Sequence, residues 1–202
     1  MAEKAAKKAQ NGLFIGRFQP FHNGHLKAMH WILSKCAKCI IVVGSSQKCY
    51  DPENPFTVGE RVEMIAAALE EGGMLGKCYI IPATDIMNNA LWVAHVSSLV
   101  PHYDIVYTNN ALNARLFEEA GKKVSTVPFF CRPACEGTKI RRMMLSNRGG
   151  WEKLVPASTA RVIKRSSSIE RIRAVAGKRG CARNVPEGHG IARIRAVAGK
   201  KR

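Results

Sequence analysis

The stretch Gly16-Arg-Phe-Gln-Pro-Phe-His-Asn-Gly-His-Leu26 sets His22 and His25 three residues apart, beside an arginine and two glycines. Residues 12–18 form a short, apolar, β-rich run. Residues 24–36 repeat Leu26, Met29, Leu33 and then Cys36 or Ala37 at helical spacing. The histidines therefore fall where a strand turns into a helix. A helix N-terminus presents unpaired N–H groups and a partial positive charge, so it favours phosphate. Two imidazoles three apart across a first helical turn can face one side and donate N–H bonds to phosphoryl oxygens. Arg17 adds a permanent charge with fork geometry. Gly16 would let a phosphate approach the strand end, and Gly24 would open the turn without a Cβ clash. The spacing of the histidines alone also fits a structural turn with one buried and one surface ring. Set between strand and helix, the whole pattern points to a site for a nucleoside triphosphate.

The elements that must position this turn alternate regularly. Strand-like runs over 12–18, 39–46, 78–85, 104–110 and 123–130 are separated by helical patterns over 24–36, 58–71, 88–100 and 111–120. Thr57-Val-Gly-Glu60 is a capping-box pattern that starts the second helix. Five apolar strands with helices between them predict an α/β fold, a doubly wound, Rossmann-like, five-stranded parallel sheet with helices on both faces. Ligands bind such sheets outside the strand C-termini, near the switch in strand order, and the histidine turn follows the first strand. Beyond it the chain reads as helical, with segments over 137–147, 155–165 and 168–176. The octapeptide Arg-Ile-Arg-Ala-Val-Ala-Gly-Lys occurs at 171–178 and again at 193–200, and two copies are too few for a solenoid. The predicted organisation is a disordered basic extension over 1–11, one domain over 12–180, and a basic tail over 181–202.

Composition narrows the class. A 202-residue chain with 46% hydrophobic content suits a single soluble domain with a substantial core. No run reaches the roughly 18 apolar residues of a membrane span. The opening Met-Ala-Glu-Lys-Ala-Ala-Lys-Lys has no apolar stretch, so a signal peptide is not expected and the cytoplasm is. Of the net charge of +17, most lies beyond residue 160, so basicity is a property of the tail. A solvated terminus explains such a tail; attraction to nucleic acid is the competing explanation. Seven cysteines, an odd number in apolar surroundings, suit reduced thiols. The pairs Cys36/Cys39 and Cys131/Cys135 would together supply four zinc ligands, but their spacings differ and Cys39 begins a strand. They read as buried or idle thiols.

The Gly16–Leu26 stretch resembles the HxGH signature of the adenylyl- and cytidylyl-transferring nucleotidyltransferases. Gly137-Thr138-Lys-Ile-Arg141-Arg resembles their second mark, a Ser/Thr-x-x-Arg helix start. Further pieces, residues 44–47, 54–61, 80–96, 106–110 and 132–142, match one branch in order and spacing. That branch is the archaeal-type nicotinamide-nucleotide adenylyltransferase family, and the resemblance runs from about residue 12 to about 178. It implies that ATP and nicotinamide mononucleotide (NMN) give NAD and pyrophosphate, with magnesium accompanying ATP and no tightly bound cofactor. It also implies a homo-oligomer, a hexamer.

The resemblance assigns roles residue by residue. His25 would contact the α-phosphate and His22 the α–β region. Arg17 and Arg141 would hold the departing β,γ end, and Gly16 and Thr138 complete the ATP site. Thr138 and the first amides of its helix form the opposite jaw. Trp92 would stack on the nicotinamide cation, since a Trp face is the strongest aromatic partner for a cation; a core tryptophan is the competing reading. Asn89 and the backbone near Ile86 would read the carboxamide or the ribose phosphate, with Phe130 closing the other side. His30 and His95 lie on helical faces and read as packing residues. One departure stands out. Where related sequences carry a basic residue before Pro55-Phe56-Thr57, this chain has Glu53-Asn54, and Lys48 becomes the candidate anchor for the mononucleotide phosphate. Two other readings remain open at this point. One is a different HxGH transferase acting on pantetheine-, flavin- or sugar-type phosphates. The other is a basic nucleic-acid-binding protein on the same scaffold.

Overall fold

The computed structural model describes residues 10–131, 135–146 and 149–181. The extension over 1–9, most of the tail and the second copy of the octapeptide lie outside them. Five strands, β1 (Asn11–Gly16), β2 (Lys38–Val43), β3 (Cys78–Pro82), β4 (Ile105–Tyr107) and β5 (Lys123–Ser125), form one parallel sheet in the order β3-β2-β1-β4-β5. The order reverses between β1 and β4, so the crevice for a ligand lies outside the C-terminal end of β1.

Alternation along the strands feeds two cores. Leu13 stands level with Ile40 on one side and Val106 on the other, and all three are buried on one face. That face packs against α3 (Trp92–Leu99) and α4 (Ala111–Glu119) through Trp92, Val96 and Phe117. Phe14, Ile41 and Val43 point the other way, against α1 (Asn23–Leu33) and α2 (Val58–Glu71). The same core continues into α5 (Gly137–Leu145), α6 (Ala157–Arg165) and α7 (Ser168–Cys181). Burying a large aliphatic or aromatic side chain contributes roughly 1.5–3 kcal/mol, so both faces of the sheet are committed to packing. The strand ends are left for chemistry.

Elements that begin with a strong local signal match the sequence reading. Helix α2 spans the residues predicted for it, because Thr57 Oγ1 accepts from Glu60 N (3.2 Å) and Glu60 Oε2 accepts from Thr57 N (2.8 Å). The strands instead stop several residues short of their apolar runs. Residues 17–18, 44–46, 83–85 and 108–110 leave the sheet, and of these Arg17, Gly44, Ser45, Asp85 and Thr108 to Asn110 become walls of the site. After β4 and β5 a side chain replaces the ladder: Asn109 Nδ2 donates to Val127 O (2.8 Å) and Val127 N donates to Asn109 Oδ1 (2.9 Å). The helix predicted over 88–100 starts only at Trp92, because Asn88 accepts from Ala90 N (3.0 Å) and caps a 3₁₀ turn over Asn89–Leu91.

The C-terminal helices close the molecule. Ile169 and Ile172 of α7 are buried. Arg171 Nη2 donates to both carboxylate oxygens of Glu60 (2.6 and 2.9 Å) and to Pro55 O (3.3 Å), with its guanidinium 4.8 Å from the Tyr50 ring. Helix α7 thus grips both the cap of α2 and the loop before it. A charge-assisted, half-buried contact of this kind contributes about 2 kcal/mol. Arg171→Ala should therefore lower the unfolding free energy by about 2 kcal/mol, read as a lower urea midpoint with an unchanged slope. Arg161→Ala, which breaks only an exposed pair with Glu71 at 3.9 Å, should leave it almost unmoved.

Candidate active site

Two cavities open at the C-terminal end of the sheet, of about 430 and 520 Å³, and they share Ile15, Gly16 and Asn110. The first is lined by Gly16, His22, His25, Thr138 and Phe130 among others. The second is lined by Gly16, Arg17, Ile86, Asn89 and Trp92, with Ser45 and Asp85. All the predicted residues but Arg141 and Lys48 line one or other cavity, and the two cavities meet over the end of β1, at the switch in strand order.

The histidines cap α1 reciprocally. His25 N donates to His22 Nδ1 and His22 N donates to His25 Nδ1, both at 3.3 Å, and the rings stack with centroids 3.6 Å apart. Because each Nδ1 accepts, each ring carries its proton on Nε2, and that N–H is the donor left for a ligand. Phe18 and Phe21 pack around His25, with ring centroids at 4.9 and 5.5 Å. Burial lowers the His22 pKa from 6.5 to about 4. Burial and the neighbouring His22 push His25 well below its ordinary value. Both rings are neutral donors at pH 7.

This refines what the sequence suggested for the helix end. The amide of His25 is already engaged by His22, so at that helix end the imidazole Nε2–H groups are the side-chain donors left for a ligand. The available helix N-terminus is that of α5, where no side chain caps the first turn and Glu136, Gly137 and Thr138 line the first cavity. Gly16 lines both cavities and has a further purpose. A Cβ there would come within 2.8 Å of the Phe18 ring, so the glycine admits an aromatic side chain that backs His25. At Gly24 a Cβ would meet Phe130 O at 3.0 Å and the His22 ring at 3.1 Å; that glycine does relieve a clash.

The cations come from arginines. Arg141 is buried, and its Nη1 donates to Gln19 O (2.8 Å) while Nη2 donates to Thr138 Oγ1 (3.2 Å). Burial, and then the Arg17 charge, push its guanidinium pKa down. Arg17 is exposed on the wall of the second cavity, its Nη1 3.5 Å from Asn54 Oδ1. Gln19 ties these parts together, since its amide pairs with Phe56 N and Phe56 O, both at 3.0 Å.

Several expectations change. Phe130 does not face Trp92; it lines the first cavity with the histidines, because the chain after β5 folds back over α1 rather than toward α3. Lys48 reaches the second cavity only through Asp85, which it meets at 3.0 Å. Burial pushes the Asp85 carboxyl up, but bonds from Lys48 and Ser45 outweigh it and leave the pKa lowered. His30 is exposed in the last turn of α1 and is not a packing residue. His95 does pack, with its ring 5.9 Å from that of Trp92. Trp92 is buried in the second core, as the packing reading has it, and is also a wall of the second cavity. The two cysteine pairs lie apart: Cys36 and Cys39 are in the core, Cys36 against the Tyr107 hydroxyl at 3.4 Å, while Cys135 lines the first cavity. Among the described residues no three His, Cys, Asp or Glu side chains gather as a metal site.

Four residues at or behind the site escaped the sequence reading: Gln19, Arg61, Asp85 and Asn109. Arg61 had a visible signal. It stands in register with Met64, Ile65 and Ala68 on the apolar stripe of α2, where a charge must be buried.

Comparison with known proteins accords with this geometry. Residues 13–143 match the cytidylyltransferase-like family model. A nicotinamide-nucleotide adenylyltransferase of Archaeoglobus fulgidus is 49% identical over 169 residues, which covers 82% of this chain and 97% of the relative. One from Pyrococcus horikoshii is 46% identical over 165 residues, covering 82% and 88%. Among solved structures, a bifunctional NMN adenylyltransferase/ADP ribose pyrophosphatase of Francisella tularensis, complexed with AMP and a manganese ion, superposes with a TM-score of 0.67 at 21% identity. That match covers 86% of this chain and 56% of the longer bifunctional one, and it shows a shared fold.

The neutral histidine pair has a measurable consequence. Above pH 6.5 folded and unfolded chains both hold His22 uncharged. Between 6.5 and about 4 the unfolded chain binds a proton that the folded ring refuses, so stability falls on acidification. At pH 5 the loss from His22 is about 2 kcal/mol. His22→Asn keeps a capping acceptor and should flatten the slope of unfolding free energy between pH 7 and 5. Equal slopes in the two chains would refute the neutral ring.

Proposed function

The chain belongs to the cytidylyltransferase-like family and, within it, to the nicotinamide-nucleotide adenylyltransferases, and from that premise we propose how its residues carry the reaction. ATP and NMN give NAD and pyrophosphate. An oxygen of the NMN 5′-phosphate attacks the α-phosphorus in line; one P–O bond forms, the α–β P–O bond breaks, and pyrophosphate takes the electron pair. The attacking phosphate is already ionised at pH 7, so no general base and no protein nucleophile is needed. Alignment and stabilisation of developing charge are what the protein supplies.

The observation that carries this reading is the meeting of two cavities over Gly16. ATP occupies the first and NMN the second, so their phosphates converge at the end of β1. His25 Nε2–H donates to the α-phosphate and His22 Nε2–H to the α–β region. Arg141 holds the β,γ end, and Thr138 with the uncapped first turn of α5 forms the opposite jaw, whereas Arg17, expected at that end from the sequence, lines the second cavity. Trp92 stacks on the nicotinamide cation, beside Asn89 and the backbone at Ile86. Arg17 takes the place proposed for Lys48 as the cation nearest the NMN phosphate, because Lys48 is engaged by Asp85. A divalent ion, magnesium in this reading, would accompany ATP and supply neutralisation of phosphate charge.

The same proposal includes a domain over 12–180 with basic ends, a cytoplasmic location and a homo-oligomer, a hexamer by family resemblance. Exposed Met87, Leu91 and Leu99 offer apolar surface for assembly. Among the described residues no helix is long and apolar enough to cross a membrane.

Incubation with ATP and NMN should release pyrophosphate and form NAD. His25→Ala should lower kcat about 10²–10³-fold, as removal of a transition-state donor does; an unchanged single-turnover rate would reject its role. Trp92→Ala should raise KM for NMN about tenfold, the equivalent of a cation–π contact, with little change for ATP. A chain that keeps its NMN affinity without the indole would instead favour a different acceptor phosphate.

A further inference from the structure

Arg61 has no exposed surface, and a buried cation needs hydrogen-bond acceptors around it. Its guanidinium finds five carbonyls. Nη1 donates to Arg17 O (3.0 Å) and Gly44 O (2.9 Å), and Nη2 donates to Ser45 O (3.1 Å) and Ser46 O (3.4 Å). Nε donates to Thr57 O at 3.4 Å. These carbonyls belong to the segment after β1, the segment after β2 and the cap of α2. One planar group thus fastens three stretches of chain that are far apart in sequence.

Two of the gripped carbonyls have a further property. Arg17 O precedes Phe18 (φ 51°) and Gly44 O precedes Ser45 (φ 50°), so each lies on the peptide entering a left-handed, non-glycine residue. Such a conformation is strained for a non-glycine residue. The same nitrogen, Nη1, holds both. Phe18 then backs His25 with its ring, and Ser45 faces the second cavity, its Oγ donating to Asp85 Oδ1 at 3.0 Å. Arg17 lies between the two, its carbonyl held by Arg61 and its side chain in the second cavity.

We infer that Arg61 is a positioning residue for adenylyl transfer: it clamps the left-handed turns at Phe18 and Ser45 and thereby sets Arg17 and the Gly44–Ser45 backbone against the acceptor phosphate. The inference rests on the adenylyl-transfer reading above. Arg61 touches no substrate; it acts through Arg17 and Ser45. Lysine keeps the charge but concentrates its donors at one point, so it cannot span carbonyls from three segments.

The test uses the full chain with ATP and NMN as substrates and calorimetric binding of each alone. Folded Arg61→Lys should lose about 10² in kcat, the effect of a misplacement near 1 Å, while ATP affinity stays within about threefold of the wild type. The double variant Arg17→Ala/Arg61→Lys should be no slower than the slower single variant, since both act on one guanidinium. Ser45→Gly, which adopts a positive φ without strain, should recover part of the rate in the Arg61→Lys background. If Arg61→Lys does not fold, Ser45→Gly should restore folding. A folded Arg61→Lys with unchanged kcat, multiplicative losses in the double variant, or no recovery of rate or folding by glycine would overturn the inference. The wild type, run alongside, separates the two failures. No NAD from the wild type rejects adenylyl transfer and this role with it; an active wild type with an equally active Arg61→Lys rejects the positioning role alone.

Discussion

Two imidazole rings stacked 3.6 Å apart, each accepting the other's backbone N–H, cannot both take up a second proton. Burial and mutual repulsion keep them neutral. From that constraint follow the tautomer, the direction of the free Nε2–H groups and the need for positive charge to come from elsewhere. Neutral donors also suit the reacting centre. In the proposed reaction they would stabilise charge as it develops on the α-phosphate.

The positive charge is supplied by arginines whose bonds, among the described residues, go to carbonyls, a hydroxyl and an amide oxygen rather than to carboxylates. Arg61 and Arg141 are buried in this way, and Arg17 stands exposed between the cavities. Carboxylate pairing would cancel the field a polyphosphate is meant to meet. Backbone carbonyls satisfy the N–H groups and leave the net charge in place. The fold tolerates this because both faces of the sheet are packed with apolar side chains that make no demand on the strand ends.

The helices and the site were legible to different degrees, for local reasons. The capping box at Thr57 fixed the bounds of α2, since its bonds join residues three apart. The strand runs were read too long because the residues that leave the sheet, such as Ser45 and Thr108, keep β-like or apolar neighbours; what ends the ladder is a side chain from elsewhere, Asn109 on Val127 or Arg61 on Gly44. Phe130 was placed in the wrong cavity because sequence order does not say over which helix a loop after an edge strand returns. Arg61 was overlooked although its place on an apolar stripe announces a buried charge.

The sequence by itself determined the alternation of strand and helix, the His-x-x-His turn at the end of the first strand, the Thr-x-x-Arg helix start and the reaction these motifs imply. Each of those depends on residues within a few positions of one another, where backbone periodicity and side-chain reach are fixed. Tertiary structure alone decided which nitrogen of each histidine carries its proton, that Gly16 makes room for Phe18, that Lys48 is engaged by Asp85, and that Arg61 ties three segments together. The last two depend on contacts between residues about 15 to 45 positions apart in the chain, and the first two on how the rings of one tight turn are buried. Both exist only once the sheet has closed and its loops share one crevice.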